Sequence, residues 1–348
     1  MATIPTDWAG GLALEKDLML PARPDDPEMR ESGSIWLFEE NGEFGFPRIG
    51  IEAEVTSWED RRFQANFAFR DGRILNDNGS GPVPSAIGPD GRATVLGAGP
   101  VTFRCVEPFR TWTAHFDGSA TDSHVDNQIA RTVDLGKRTP LRFDVELTMV
   151  TPAWVQDNSP ERVAQMSEAE AIEAANMGIG YRIEHLFRAE GRFEIDGQTR
   201  DFKAVGSRIH RQSVRPMAGF RGHCWQSAVF PDGRAFGYIA YPSREDGSDA
   251  YNEGYLYIDG RMIPARAVKS PWLRRAVGSG DDVAVEFESE LGITRIEGVT
   301  ALSTFRIGNP DMGGFNLQQS GALYRWDGQS AYGMIERSSP HPLEIGQV

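Results

Sequence analysis

Two short windows hold most of the residues able to move protons. In Tyr181–Arg188, strand alternation puts Tyr181, Ile183, His185 and Phe187 on one face and Arg182, Glu184 and Arg188 on the other. His185 therefore reads either as a core imidazole satisfied by one neighbour or as an acid–base group facing a cavity. In GSRIHRQSVRP, Arg208 and His210 share a strand face, with Arg215 just beyond. Arginines on either side bias His210 toward neutral imidazole, the form a general base needs. In GHCWQSAVF, His223 and Trp225 point the same way, and Tyr238 lies on the next alternating run. Trp225 fits a ligand cavity and a buried core equally well. In EPFRTWTAHF, Trp112 shares a face with Arg110, Ala114 and Phe116, while His115 accompanies two threonines and reads as outward.

Strands must position all of these groups. Asp-Gly occurs eight times, with Asp at 71, 90, 117, 196, 232, 246, 259 and 327. The pair favours type I′ hairpin turns, which need positive φ at both central residues. Period-2 patterning broken by turns every dozen residues or so predicts an all-β chain, a barrel or sandwich. One helix stands out, at Glu168–Met177, where Ser167 and Glu170 form a capping box. The chain has 348 residues, enough for two domains. The helix divides them, so the expected units are residues 1–178 and 179–348.

Other chemistries lack support. There is no GxSxG, GxGxxG, GxxxxGK or HExxH, and no spaced ligand cluster, so neither cofactor nor metal is expected. A net charge of −14 repels phosphate backbones, which argues against nucleic acid as a partner. No apolar run is long enough to span a membrane, and the N-terminus lacks a secretory pattern. With Cys105 and Cys224 as the only cysteines, a cytoplasmic protein without disulfides is expected.

The segment EHLFRAEGRFEIDGQTRDFKAVGSRIHRQSVR resembles the central stretch of the hydroxyneurosporene synthase, or carotenoid 1,2-hydratase-like, superfamily. Members commonly show a glycine followed by Arg-Asp-His-Ser-Trp-Gly-x-Arg. Gly206, Arg208, His210 and Arg215 match, whereas Ile209, Gln212 and Ser213 depart from the pattern, Ile209 standing where the family has its acid. Weaker similarity extends over residues 30–338. The resemblance implies two lipocalin-like antiparallel barrels and kinship with the tandem-barrel Diels–Alderases of fungal polyketide pathways.

Together these readings predict a cofactor-free lyase or isomerase. It would hydrate, dehydrate or shift a double bond in an apolar isoprenoid, polyketide or aromatic-derived molecule. His210 and His185 are the expected acid–base pair, with Arg208 and Arg215 holding a substrate oxygen. Trp225, Tyr181, Trp112, His223, Tyr238 and Glu184 are expected to shape the pocket. A carrier of a hydrophobic ligand and a shape-driven pericyclase are the alternatives, and assembly as a homodimer is compatible with either. The site is expected in a cavity inside a barrel or in a cleft between the two, either of which offers an apolar pocket with few polar anchors.

Overall fold

Alternating strands joined by tight turns close into two antiparallel rings. The computed structural model describes residues 7–214, 220–244, 247, 250–310 and 313–346. The first ring opens with β1 (Met29–Glu39), β2 (Phe44–Glu54), β3 (Asp60–Phe69) and β4 (Arg73–Pro82). The short β5 (Val95–Ala98) and β6 (Val101–Glu107) lead into β7 (Thr111–His124) and β8 (Arg138–Met149). Then come β9 (Trp154–Asn158) and the long hairpin of β10 (Ile179–Ile195) and β11 (Gln198–Val214). The hydrogen-bonded order is β4-β3-β2-β1-β11-β10-β8-β7, and β4 pairs with β7 to close it.

The second ring runs β12 (His223–Val229), β13 (Ala235–Ala240), β14 (Asn252–Ile258) and β15 (Arg261–Lys269). The two-residue β16 (Arg275–Ala276) stands aside, and β17 (Val285–Ser289), β18 (Gly292–Asn309), β19 (Phe315–Trp326) and β20 (Gln329–Ser339) complete a closed barrel. The all-β class is thus as the sequence predicts. The boundary is not. β10 and β11 belong to the first ring, so a division at 178/179 cuts through it, and the chain changes ring only after Val214. The helix α3 (Glu168–Met177; α1 is Val125–Ala130 and α2 Pro160–Val163) is an insertion before the hairpin that completes the ring.

That helix does sit at the junction. Its capping box is formed, and its Glu173 accepts hydrogen bonds from Arg221 and Arg244 of the second half. Turn chemistry follows the Asp-Gly rule in part. Asp196-Gly197, Asp259-Gly260 and Asp327-Gly328 have positive φ at both residues and close the β10–β11, β14–β15 and β19–β20 hairpins. Asp71-Gly72 and Asp232-Gly233 are positive only at glycine, and Asp117-Gly118 lies inside β7. Asp246 lies outside the described residues.

Both interiors are filled. Phe44, Phe46, Phe67, Phe116, Phe143 and Phe202 pack in the first, with Phe46–Phe67 centroids 4.8 Å apart. Phe236, Tyr238, Phe287 and Tyr324 fill the second. Eight-stranded barrels are just wide enough for side chains, and these barrels use that room for core rather than for a broad ligand cavity. Between the rings lies a further apolar core, in which Trp36, Leu186 and Ile209 of the first ring meet Trp225, Tyr255 and Leu302 of the second. Among the described residues no helix is long and apolar enough to cross a membrane.

Candidate functional site

Register on the β10–β11 hairpin places the chemistry. His185 pairs with Arg208, Ile183 with His210, and Gly33 of β1 with His210. Alternation then sends His185, Arg208 and His210 to the inner face of the first ring and Glu184 and Ile209 to the face toward the second. Gly206 on the same inner register lets strands approach: a Cβ there would strike the Trp36 carbonyl and lie 2.6 Å from the Phe187 ring.

At the inner face a segment from before β1 completes a buried charged cluster. Asp17, in a short 3-10 turn at Leu14–Asp17, accepts from Arg208 Nη2 at 2.6 Å, the Phe109 amide at 2.7 Å and Trp112 Nε1 at 3.0 Å. His210 Nδ1 lies 3.8 Å from the same carboxylate, and His210 Nε2 is 3.0 Å from Glu31 Oε1. Glu31 also accepts from the Leu20 amide and from Gln212 Nε2. Arg208 lies over the Trp112 ring at 4.1 Å and donates to His185 Nδ1 at 3.2 Å. With Nδ1 accepting, the His185 proton sits on Nε2, which faces the Trp8 carbonyl at 3.4 Å.

The two histidines are pushed in opposite directions. Burial and the neighbouring Arg208 push His185 down to about 3, so it is a neutral imidazole. Burial acts the same way on His210, but the Asp17 and Glu31 carboxylates beside its two ring nitrogens overcome it and hold His210 above the usual histidine value. Burial alone would raise Asp17. Arg208, with help from His210 and His185, instead holds its carboxyl well below the usual range. The sequence expectation for His210 was the reverse, a neutral base between arginines. The carboxylates that overturn it come from positions remote in the chain.

A cavity of about 10 Å³, room for roughly one water molecule, lies against this cluster. Gly33, Leu96, Phe103, Trp112, Arg208 and His210 are among its walls. A Cβ on Gly33 would come within 2.8 Å of Leu96 and fill it. Arg208 Nε and Nη1 are buried and have no hydrogen-bond partner among the described residues. Tyr181 is half-buried at the rim, its ring 4.7 Å from Lys16 Nζ.

Not every expected site residue joins this cluster. Glu184 and Trp225 meet instead on the opposite face of β10, between the rings: Trp225 Nε1 donates to Glu184 Oε2 at 3.0 Å, and Arg182 lies 3.2 Å from the same oxygen. Glu184 is wholly buried. Burial raises its pKa more than Arg182 lowers it, and its Oε1 has no partner among the described residues. His223 belongs to a third group, with Ser338 Oγ at 2.7 Å and Glu336 Oε1 at 3.1 Å. Burial alone would raise Glu336, but the His223 hydrogen bond and the charge of Arg48 bring it down to about 2. Tyr238 is core of the second barrel, its hydroxyl 3.1 Å from Cys224 Sγ. Arg215 lies outside the described residues. His115 points outward and pairs with Asp144 at 2.6 Å.

Sequence reading missed Asp17 and Glu31. Glu31 carried a signal, since it shares its strand face with Gly33, Ile35 and Leu37 and so breaks an otherwise apolar register. Asp17 carried little, being the last of three consecutive charges in LALEKDLML. Among the described residues no group of three His, Cys, Asp or Glu side chains is placed to hold a metal ion.

Two closed antiparallel rings packed across a common core, one holding a buried ionic cluster, define a tandem lipocalin-like barrel protein. The chain belongs to the family of the domain of unknown function DUF7064, whose model matches residues 14–341. Solved structures with this architecture include a candidate AttH of Nitrosomonas europaea, 14% identical, covering 90% of this chain and 92% of that one at a TM-score of 0.54. CghA is 11% identical over 92% of this chain and 90% of its own, at 0.51. Kievitone hydratase of Nectria haematococca is 11% identical over 92% and 93%, at 0.47. The likeness to the first two establishes the fold that the superfamily resemblance implied. Comparison with curated proteins gives no match.

Proposed function

We propose that the inner cluster of the first barrel is an acid–base site that adds water to, removes water from, or shifts a double bond in an apolar small molecule. The observation that carries this reading is the buried chain His185–Arg208–Asp17–His210, whose ends are pushed in opposite directions by their neighbours. His210, a cation between two carboxylates, is the proton donor; His185, neutral with Nδ1 as acceptor, is the proton acceptor. In hydration, His210 gives its proton to one alkene carbon while water attacks the other, and the water's proton passes to His185 Nδ1 as Arg208 Nη2 turns away from that nitrogen toward the substrate. Dehydration reverses both transfers. The unmatched N–H groups of Arg208 would stabilise an oxygen that gains negative charge. Trp112, Leu96 and Phe103 supply the apolar wall. The family acid replaced at Ile209 would not be used, and Asp17 and Glu31 set the charge of His210 instead.

The test is exchange chemistry. The protein is incubated in D2O with a panel of apolar enones and tertiary or allylic alcohols, and products are read by mass for deuterium uptake or an 18 Da change. Turnover should fall by about 10²–10⁴ in His210→Gln. Tight binding of panel members without exchange or mass change in any of them would favour the carrier reading.

A further inference from the structure

The inner cluster is built around an anion that its own barrel does not supply. Three N–H donors converge on the Asp17 carboxylate: Arg208 from β11, Trp112 from β7 and the Phe109 amide from the turn before β7. All three belong to the ring. Asp17 instead arrives on a separate segment laid across this end of the ring, with Met19 buried in the barrel core and the Leu20 amide donating to Glu31. The Trp8 carbonyl accepts from the Ala153 amide, the Trp8 ring covers Arg110 at 4.1 Å, the Met19 amide donates to Ala93, and Gln212 donates to the Leu18 carbonyl. Trp112 and Arg208, which hold the carboxylate, also wall the small cavity together with Leu96 and Phe103, and Arg208 keeps two buried donors unmatched.

Burying a carboxylate is costly, and a segment needed only to cover the barrel end would be held by apolar contacts alone. Preorganised donors around a fixed point, backed by two cations, are what an anion-binding site requires. We infer that the first barrel binds an apolar monoanion, carboxylate-like or enolate, whose charged group takes the place occupied here by Asp17. Residues 7–20 then act as the resident plug, and the ligand's apolar body extends into the space the plug vacates. The inference rests on reading this cluster as the ligand site and adds the charge of the ligand.

The probes are 1-anilinonaphthalene-8-sulfonate, an apolar monoanion, and N-phenyl-1-naphthylamine, its uncharged counterpart. Both are titrated by fluorescence into wild type, Asp17→Asn, and Asp17→Asn with Arg208→Gln. Asp17→Asn should bind one anion per chain at least tenfold tighter than wild type, with no matching gain for the neutral probe, and Arg208→Gln should abolish that gain. Equal gains for both probes, or no gain in a variant whose circular dichroism and melting match wild type, would overturn the inference. Should Asp17→Asn not fold, Trp8→Ala loosens the plug and leaves the charges alone. A several-fold gain for the anion only is expected there, and no gain overturns. Exchange in D2O without anion binding would sink this inference and leave the acid–base reading standing; anion binding without exchange would do the reverse.

Discussion

His210 and His185 lie on neighbouring strands yet are shifted in opposite directions, and pH should separate them. The unfolded histidine value is about 6.5. His210 is raised on folding, so its contribution to stability is complete below about pH 6.5 and is lost as pH rises through its folded value. His185 is lowered to about 3, so stability falls as pH drops from about 6.5 toward 3, where the unfolded chain binds a proton that the folded one refuses. Melting temperatures across pH should therefore lose their alkaline slope in His210→Gln and part of their acid slope in His185→Gln. Identical pH profiles for the two variants would contradict the assignment. His210→Ala should also melt earlier by about 1–3 kcal/mol, because Glu31 and Asp17 lose a buried partner. At this scale the sequence told which side chains share a face and little about their charge. Glu31 is 179 positions from His210, and strand alternation says nothing of such partners.

Hairpins and their glycines set the register that makes the cluster. Gly197 has φ +76° with open space around its missing Cβ, so Gly197→Ala should cost only the left-handed backbone penalty, about 1 kcal/mol. Gly206→Ala meets the Trp36 carbonyl and the Phe187 ring, so it should cost at least twice as much in denaturant unfolding. Equal losses would mean that β1 and β11 yield more easily than their packing implies. Ser167→Ala should remove a cap worth about 0.5–2 kcal/mol. Strands and the capped helix were legible because period-2 patterning, Asp-Gly pairs and a capping box are local signals. The allocation of β10 and β11 to the first ring was not, since ring closure depends on pairing with β1 and β8, strands far back in the chain.

Across the whole molecule, the two barrels share a core instead of merely touching. Trp36 of the first packs edge-on against Trp225 of the second, ring centroids 4.6 Å apart, within a continuous apolar cluster. Gln64 and Asn66 reach across to Gln319, which donates in turn to Glu336. Unfolding should accordingly be one cooperative transition, lowered as a unit by Trp36→Ala at a cost of about 3–5 kcal/mol. Two separated calorimetric transitions would refute that coupling. Turn spacing, period-2 patterning and the superfamily resemblance carried the tandem-barrel architecture from sequence. They could not carry the filling of the interiors, because an inward apolar residue reads the same whether it lines a cavity or packs a core.

The central claim is that His210 is the charged donor and His185 the neutral acceptor of one buried site. Nitrogen-15 NMR of histidine-labelled protein, followed across pH, tests it without any substrate. The account requires His210 to keep both ring nitrogens protonated to a higher pH than free histidine, and His185 to carry its proton on Nε2 with Nδ1 bare. A His210 that loses its proton at or below the free-histidine value, or a His185 protonated at both nitrogens near neutral pH, would contradict it.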